Sequence, residues 1–230
     1  MKTFRTSTGA QRPYYTEQDV ENMCEDALRA TGYYPDAPQA IKIDRFVEKH
    51  FKVSPRFEDM PSGVLGFSSF GDRGMVSMHI SQALVEEDTR SAERRVNTTM
   101  AHEAGHGLMH AHLFALSGTE STLFAHGSDV EQQKVLCRDE KTTPKKVYDG
   151  RWWELQANMA IGPLLMPRRL LHEALAPFLL VRGTFGTLEI DSRRREEAVR
   201  HVAEIFDVNP AAMRIRVDKL YKPMGNQLTL

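Results

Sequence analysis

The sequence predicts an α+β protein that is mostly helical and contains a small β-sheet. Apolar residues recur at helical spacing along much of the chain, which is typical of amphipathic helices. Two adjacent apolar runs, VLGFSSF at 64–70 and GMVSMHI at 74–80, flank the turn-forming stretch GDRG and predict paired strands. With 230 residues, of which 41% are hydrophobic, the chain is long enough to bury one sizeable core.

Two helices are expected before the strands. Thr16 can cap the first helix, whose first turn is acidic, and Gly32 can end it. A second helix is expected after Pro38, with three apolar residues facing inward: Ile41, Phe46 and Val47. Residues 1–15 show no such pattern and are interpreted as an N-terminal arm.

The elements after the strands are expected to be helical. A long helix is predicted from about residue 92 to about residue 114, and a shorter one over 151–161 should stop at Gly162-Pro163. Ser192 can cap a further helix. Asn209-Pro210 starts the last helix, with proline at the first helical position.

The chain therefore divides into an arm (1–15), a main domain (16–180) and a C-terminal helical segment (181–230). Within the main domain, residues 117–150 are polar and show no clear period. We interpret them as a long loop or small insertion. Loops of this length are uncommon inside compact domains and are often functional.

Composition and charge argue against several function classes. The formal net charge of −1 gives no attraction of the whole molecule to nucleic acid or anionic membranes. No run of about 18 apolar residues could span a bilayer, and the N-terminus lacks the apolar core of a signal peptide. Two cysteines, Cys24 and Cys137, cannot build a disulfide framework. We therefore expect a soluble, cytoplasmic protein without a membrane partner.

The stretch TMAHEAGHGLMHAH, residues 99–112, carries the strongest functional signal and contains four of the nine histidines. His102 and His106 are four residues apart, so on a helix they share one face and can reach one Zn²⁺ ion. Glu103 is placed to act as general base on a water that zinc makes more acidic. The alternative is a pair of core histidines on a buried helix without a metal.

Two glycines interrupt this helix, although each costs about 1 kcal/mol relative to alanine in a helix interior. Gly105 and Gly107 are therefore expected where another element, such as a strand, or a substrate approaches the helix closely.

A catalytic zinc site also needs a third protein ligand and an open position. Glu154 is the leading candidate, because it lies in the mostly apolar stretch RWWELQANMAI, where an unpaired carboxylate is costly to bury. The small Ala157 and then Asn158 follow it at positions +3 and +4. The alternative for Glu154 is an exposed position on an amphipathic helix.

His110 lies one turn beyond His106 on the same helix face. It could support the site from outside the metal, stabilise a transition state, or only pack. His112 points away from His110 and is expected to be structural or exposed. No C-x-x-C spacing connects the residues that might form a second metal site: Cys24, His126 and Cys137. The remaining histidines have contexts that need no metal: His50, His79, His172 and His201.

Two segments, TTMAHEAGHGLMH (98–110) and WWELQANMAIGPLLMP (152–167), resemble the ImmA/IrrE family of zinc-dependent metallopeptidases. That family combines an HExGH helix with a later E-x-x-A-N helix that ends near L-L-M-P. The strand pair upstream and the tail VAEIFDVNPAAMRIRVDKL (202–220) fit the family pattern as well, so the resemblance covers about residues 38–220. It departs at Ala160-Ile161, where the family usually has Phe-Ala, and in the long stretch between the two motifs.

The resemblance implies a zincin-like metallopeptidase domain at 16–180 and a helix-turn-helix-like segment at 181–230. One Zn²⁺ ion would be held by His102, His106 and Glu154, with Glu103 as the general base.

The resemblance further implies an endopeptidase that cleaves a transcriptional repressor, itself a helix-turn-helix protein, in a stress response or mobile-element induction. The alternative is a non-catalytic, metalloprotease-like regulator that binds a repressor or DNA. Glu103 favours the peptidase, because a purely structural zinc site needs no general base. Direct DNA binding is not expected, because the net charge is slightly negative and no helix is rich in Arg, Asn and Gln together.

Overall fold

The computed structural model describes residues 2–5, 11–111, 134–138, 152–182 and 187–221, with side chains over 14–111, 152–181 and 188–221. The fold is α+β and most of its regular structure is helical, as the sequence predicts. Its helices α1 to α8 span, in chain order, Glu17–Thr31, Ile43–Phe51, Gln82–Glu86, Arg90–Met109, Trp152–Leu165, Arg168–Leu175, Arg195–Phe206 and Pro210–Leu220.

Helix α1 confirms the predicted start and end signals. The Thr16 hydroxyl accepts a hydrogen bond from the Asp19 backbone N–H at 3.1 Å, and the Asp19 carboxylate accepts one from the Thr16 N–H at 2.9 Å. This reciprocal capping box satisfies two backbone donors that a helix start otherwise leaves unpaired. At the other end, Gly32 adopts φ +74°, a conformation that glycine takes without strain.

A mixed sheet of four strands lies beside α4. The strands β3 to β6 span Arg56–Glu58, Val64–Gly71, Gly74–Ser81 and Lys134–Arg138, and their order in the sheet is β3-β5-β4-β6. The predicted hairpin of β4 and β5 is confirmed as an antiparallel pair. Strand β3 pairs in parallel with β5, and β6 pairs antiparallel with β4. Strand β3 has only three residues and β6, KVLCR, does not alternate, so periodicity does not predict either outer strand.

Two further two-stranded ladders correct the sequence interpretation. In the predicted arm, β1 (Lys2–Arg5) pairs antiparallel with β2 (Gln11–Tyr14). At the start of the C-terminal segment, β7 (Leu179–Arg182) pairs antiparallel with β8 (Thr187–Ile190). The expected insertion at 117–150 contains β6, and the rest of it lies outside the described residues.

Several helix ends also differ from the prediction. Helix α4 begins at Arg90 because the Thr89 hydroxyl accepts a hydrogen bond from the Ala92 N–H at 3.1 Å, and it ends at Met109. Ser192 does not cap α7, which begins at Arg195. Instead the Asp191 side chain accepts a hydrogen bond from the Arg193 N–H at 3.0 Å and forms a turn after β8.

Helix α5 does not stop at Gly162-Pro163 but continues to Leu165. Proline removes one backbone donor and crowds the preceding turn, which disfavours a helix interior. Here the helix is held on both sides of Pro163: Leu164 and Leu165 are buried in the core, and the Met166 N–H donates to the Gly162 carbonyl at 2.7 Å. Tertiary burial therefore overrides the local stop signal.

One hydrophobic core runs through the sheet and the helices on both sides of residue 181. It contains residues of α1, α2, α4, α5 and α6 together with residues of α7 and α8, including Val199, Val202, Met213 and Val217. The predicted start of α8 is confirmed, with Asn209 at the N-cap and Pro210 in the first turn. None of the helices within the described ranges has both the length and the apolar content needed to cross a bilayer.

Candidate metal centre

The candidate site lies where α4 and α5 pack directly against each other. The closest approach is at Gly105, where an added Cβ would lie 2.9 Å from the Ala160 Cβ and 3.0 Å from the Ala157 carbonyl oxygen. Only glycine lets the two helices come this close. At Gly107 an added Cβ would meet the Phe51 ring at 2.6 Å. Both glycines therefore lie at close approaches of other elements, as the sequence predicts.

Three metal-binding side chains converge across this helix pair. His102 Nε2 lies 3.0 Å from His106 Nε2 and 3.2 Å from Glu154 Oε2, and His106 Nε2 lies 3.7 Å from Glu154 Oε1. Ligands held at about 2.0–2.1 Å by a tetrahedral zinc ion are about 3.3–3.4 Å apart, so these separations fit one ion. The three predicted ligands therefore form a buried group that could hold a metal ion.

The ring nitrogen of His102 that does not face the other candidate ligands, Nδ1, contacts a hydrogen-bond acceptor. His102 Nδ1 lies 2.9 Å from Asn158 Oδ1, one turn beyond Glu154 on α5. An amide oxygen can only accept, so His102 Nδ1 carries a proton, and in the neutral ring Nε2 then presents its lone pair to the site. Histidine ligands commonly have such an acceptor, which fixes the ring and the tautomer.

His110 lies behind His106, outside the group of three ligands. Its Nδ1 is 3.2 Å from His106 Nδ1, and its Nε2 is 2.9 Å from the side-chain oxygen of Gln156 on α5. The ring is completely buried, and the Trp152 ring packs against it edge-on at 5.6 Å. His110 therefore contacts His106 through the ring nitrogen of His106 that does not face Glu154.

Glu103 lies on α4 next to the ligand group and is fully buried. Within the described part of the chain, neither of its carboxylate oxygens meets hydrogen-bond geometry with a protein partner. Burial raises the pKa of Glu103 to about 7, while His102 and Ser68 of β4 act in the opposite direction. A buried carboxylate whose oxygens have no hydrogen-bond partner, and whose pKa is near neutrality, is suited to exchanging a proton with a bound molecule.

The electrostatics of the ligands favour a neutral imidazole at His106. Burial lowers the pKa of His106 to about 4, although the hydrogen bond with Glu154 opposes this. Burial also lowers the pKa of His102, but hydrogen bonding to Glu154 and the charges of Glu103 and Glu154 offset this and raise it. The pKa of Glu154 falls well below its usual range: burial raises it, and the hydrogen bonds with both histidines outweigh that effect.

The other histidines with described side chains lie away from this group. His50 stacks on Phe46, and His79 lies 2.8 Å from Glu58 at the sheet. His172 contacts the Tyr221 hydroxyl at 2.7 Å, and His201 packs near Phe178. Cys24 is buried in the core, while the side chains of His112, His126 and Cys137 lie outside the described residues.

Two residues near the site could not be assigned from the sequence. Gln156 is two positions after Glu154, which places it on a different side of an ideal helix. Ser68 is one of several small residues in a strand, and nothing local marks it as a neighbour of Glu103. Both are buried polar residues, at 6% and 0% exposure, which is a signal that only a structure provides.

Comparison with known proteins adds no family assignment. No protein-family model matches the chain. No curated protein sequence matches it either.

Proposed function

We propose that this protein is a zinc-dependent endopeptidase of the HExxH type. The observation that carries the proposal is the convergence of His102, His106 and Glu154 beside the buried, unsatisfied carboxylate of Glu103. Two imidazoles and one carboxylate are a common ligand set of catalytic zinc, which keeps a further position open. A structural zinc site is normally closed by four protein ligands and has no use for an adjacent base.

The donor chemistry at the site fits a cation. His102 Nε2 and His106 Nε2 are 3.0 Å apart beside a carboxylate oxygen. In the neutral ring of His102, the hydrogen bond to Asn158 holds the proton on Nδ1 and leaves Nε2 without one. Lone pairs at this distance repel one another unless a proton or a cation lies between them. When bound, Zn²⁺ supplies a Lewis acid that polarises a carbonyl and makes water acidic enough to attack it.

Glu103 supplies the proton transfer in this proposal. Its carboxylate accepts a proton from the attacking water and then gives that proton to the nitrogen of the leaving amine. A pKa of about 7, raised by burial, lets the same group act first as base and then as acid near neutral pH. Burial of the site limits access of bulk water to these steps.

The substrate class follows from the resemblance to the ImmA/IrrE family described above. The HEAGH and E-x-x-A-N motifs that carry this resemblance lie on α4 and α5, the two helices that form the site. We propose that the substrate is a helix-turn-helix transcriptional repressor, whose cleavage relieves repression. The zincin-like assignment of the domain and a cytoplasmic location belong to the same proposal.

The test separates zinc binding from catalysis. Wild type purified without chelators should contain about one zinc ion per chain and cleave a helix-turn-helix repressor encoded beside its gene during co-expression. Glu103→Gln should keep the zinc and reduce cleavage by about 10²- to 10⁴-fold, the usual contribution of a general base. Glu154→Ala should lose the zinc. Wild type that binds no added zinc, or full cleavage by Glu103→Gln, would overturn the proposal.

A further inference from the structure

The hydrogen-bond chain that begins at Gln156 extends the site beyond the three ligands. It runs from Gln156 to His110 and then to His106, and all three side chains are buried. The two histidines lie one turn apart on α4, and Gln156 lies on α5. Each link in this chain requires one proton, so the positions of the protons can be assigned in order.

The first link determines the tautomer of His110. The Gln156 side-chain oxygen lies 2.9 Å from His110 Nε2. That oxygen can only accept, so Nε2 carries the proton. A neutral imidazole has one N–H, which leaves His110 Nδ1 without a proton and able to accept.

The second hydrogen bond, between His110 and His106, then determines the tautomer of His106. His106 Nδ1 lies 3.2 Å from His110 Nδ1. Because His110 Nδ1 carries no proton, His106 Nδ1 must donate. His106 Nε2 then has no proton and directs its lone pair toward His102 and Glu154.

We propose that Gln156 and His110 are positioning residues that set the tautomer of His106 and so make its Nε2 available to the metal. This inference rests on the proposed metal site but does not depend on peptidase activity. It assigns Gln156 and His110 the role that Asn158 has for His102, with two hydrogen bonds in place of one.

The buried surroundings of His110 strengthen its preference for one tautomer. His110 is 0% exposed, and the Trp152 ring packs against it. In a dry environment a hydrogen bond is stronger, and an unsatisfied polar group is more costly, than in water. If the acceptor on Gln156 were removed, His110 could carry its proton on Nδ1. His106 would then have to carry its own proton on Nε2, where it would block the metal.

Two substitutions at Gln156 test the role of the acceptor. Gln156→Met keeps the length of the side chain and removes the acceptor, whereas Gln156→Glu keeps an acceptor. The affinity for Zn²⁺ alone is measured by competition with a chelator of known affinity. We expect Gln156→Met to lower it by about 10- to 100-fold, as is typical when the hydrogen-bond partner of a ligand is lost. Gln156→Glu should bind zinc at least as tightly as wild type.

A second measurement reads the tautomer of His110 directly, and its first part needs only the wild-type protein. In wild type labelled with ¹⁵N, long-range proton–nitrogen spectra should show His110 as the Nε2–H form, both without metal and with Zn²⁺. In Gln156→Met the Nδ1–H form should appear. If Gln156 only packs, the tautomer of His110 should be the same in Gln156→Met as in wild type. The Met and Glu variants should then also bind Zn²⁺ with the same affinity.

The outcomes separate this inference from the proposed function. His110 found as the Nδ1–H form in wild type, or equal zinc affinity in Gln156→Met and wild type, would overturn the inference. Zinc binding with the expected tautomer but without cleavage of any protein would support the inference and count against the peptidase.

Discussion

At the scale of single residues, Glu103 differs from most carboxyl groups in the direction of its pKa shift. Most carboxyls in folded proteins are stabilised in their charged form, so their pKa falls on folding. Burial does the opposite for Glu103 and raises its pKa to about 7. The folded protein therefore holds a proton on this group more tightly than the unfolded chain does.

This shift predicts a pH dependence of stability for the metal-free protein. Between pH 4.5 and about 7 the native state binds the Glu103 proton and the unfolded chain releases it, so the contribution of Glu103 to stability falls as pH rises. Relative to Glu103→Gln, which cannot titrate, the free energy of unfolding of wild type should decrease by up to about 3 kcal/mol across this range. Urea unfolding of both proteins at several pH values, with a chelator present, measures the difference.

The comparison with Glu103→Gln is needed because other groups titrate in the same range. The lowered pKa of His106 makes the stability rise with pH from about 4 to 6.5, the opposite sign. That contribution is present in both proteins and cancels in the difference. If the difference in free energy of unfolding between wild type and Glu103→Gln does not change with pH, then burial does not raise the pKa of Glu103.

At the scale of elements, the packing of α4 on α5 positions Glu154, the proposed third ligand. Glu154 is on α5 and the two histidines are on α4, so the ligand distances depend on how closely these helices pack. Gly105 sets that closeness, because its α-carbon faces the Ala157 backbone and the Ala160 side chain. A glycine on α4 therefore controls the distances among the three side chains that could hold a metal ion.

Gly105→Ala should push the two helices apart. Alanine gains about 1 kcal/mol in helix propensity, but overpacking against rigid neighbours costs about 1–3 kcal/mol, so we expect a net loss of stability. Zinc affinity should fall as well, because Glu154 moves with α5. Unfolding in urea and chelator competition measure the two effects.

Gly107→Ala is the matched control on the same helix. Its added methyl meets the Phe51 ring and the end of the Met75 side chain instead of α5. We expect this variant to lose stability through that separate contact, while its zinc affinity stays at the wild-type value. Equal zinc affinity in the two alanine variants would contradict the role of Gly105.

At the scale of the whole molecule, a buried ion pair ties the C-terminal helices to the first helix. Arg216 of α8 donates to the Glu21 carboxylate of α1 through both terminal guanidinium nitrogens. Its Nη2 and Nε also donate to the carbonyl of Met166, directly after α5, at 3.1 and 3.2 Å. Arg216 is 3% exposed and Glu21 is 8% exposed. The residues before and after position 181 are therefore expected to unfold together.

Arg216→Met should destabilise the protein by about 3–5 kcal/mol, because it leaves the Glu21 carboxylate buried without its partner. Arg214→Met is the matched control on the same helix, since Arg214 pairs with Glu196 at an exposed position, where water and salt screen the pair, and its loss should change stability far less. Urea unfolding followed by circular dichroism should show one transition for wild type. Separate transitions, or equal losses in the two variants, would contradict this view of the C-terminal segment.

The local features of the sequence predict much of the secondary structure. The capping box at Thr16, the left-handed Gly32, the β4–β5 hairpin and the Asn209-Pro210 start all depend on neighbours in the chain, and all are observed. The prediction of secondary structure fails where contacts between residues far apart in the chain determine an element. Helix α5 continues through Pro163 because the core buries the residues that follow, and β3 and β6 form only because β5 and β4 offer them edges.

The same division holds for the candidate site. The pairing of His102 with His106, and the place of Glu103 between them, can be predicted from local spacing, because helical periodicity places side chains four residues apart on one face. The sequence also ranked Glu154 as the third member, since a carboxylate in an apolar stretch needs a partner. Only the tertiary structure decided that Gln156 reaches His110 and that Ser68 lies beside Glu103. These contacts join separate elements, and their distances are set by how helices and strands pack rather than by spacing along the chain.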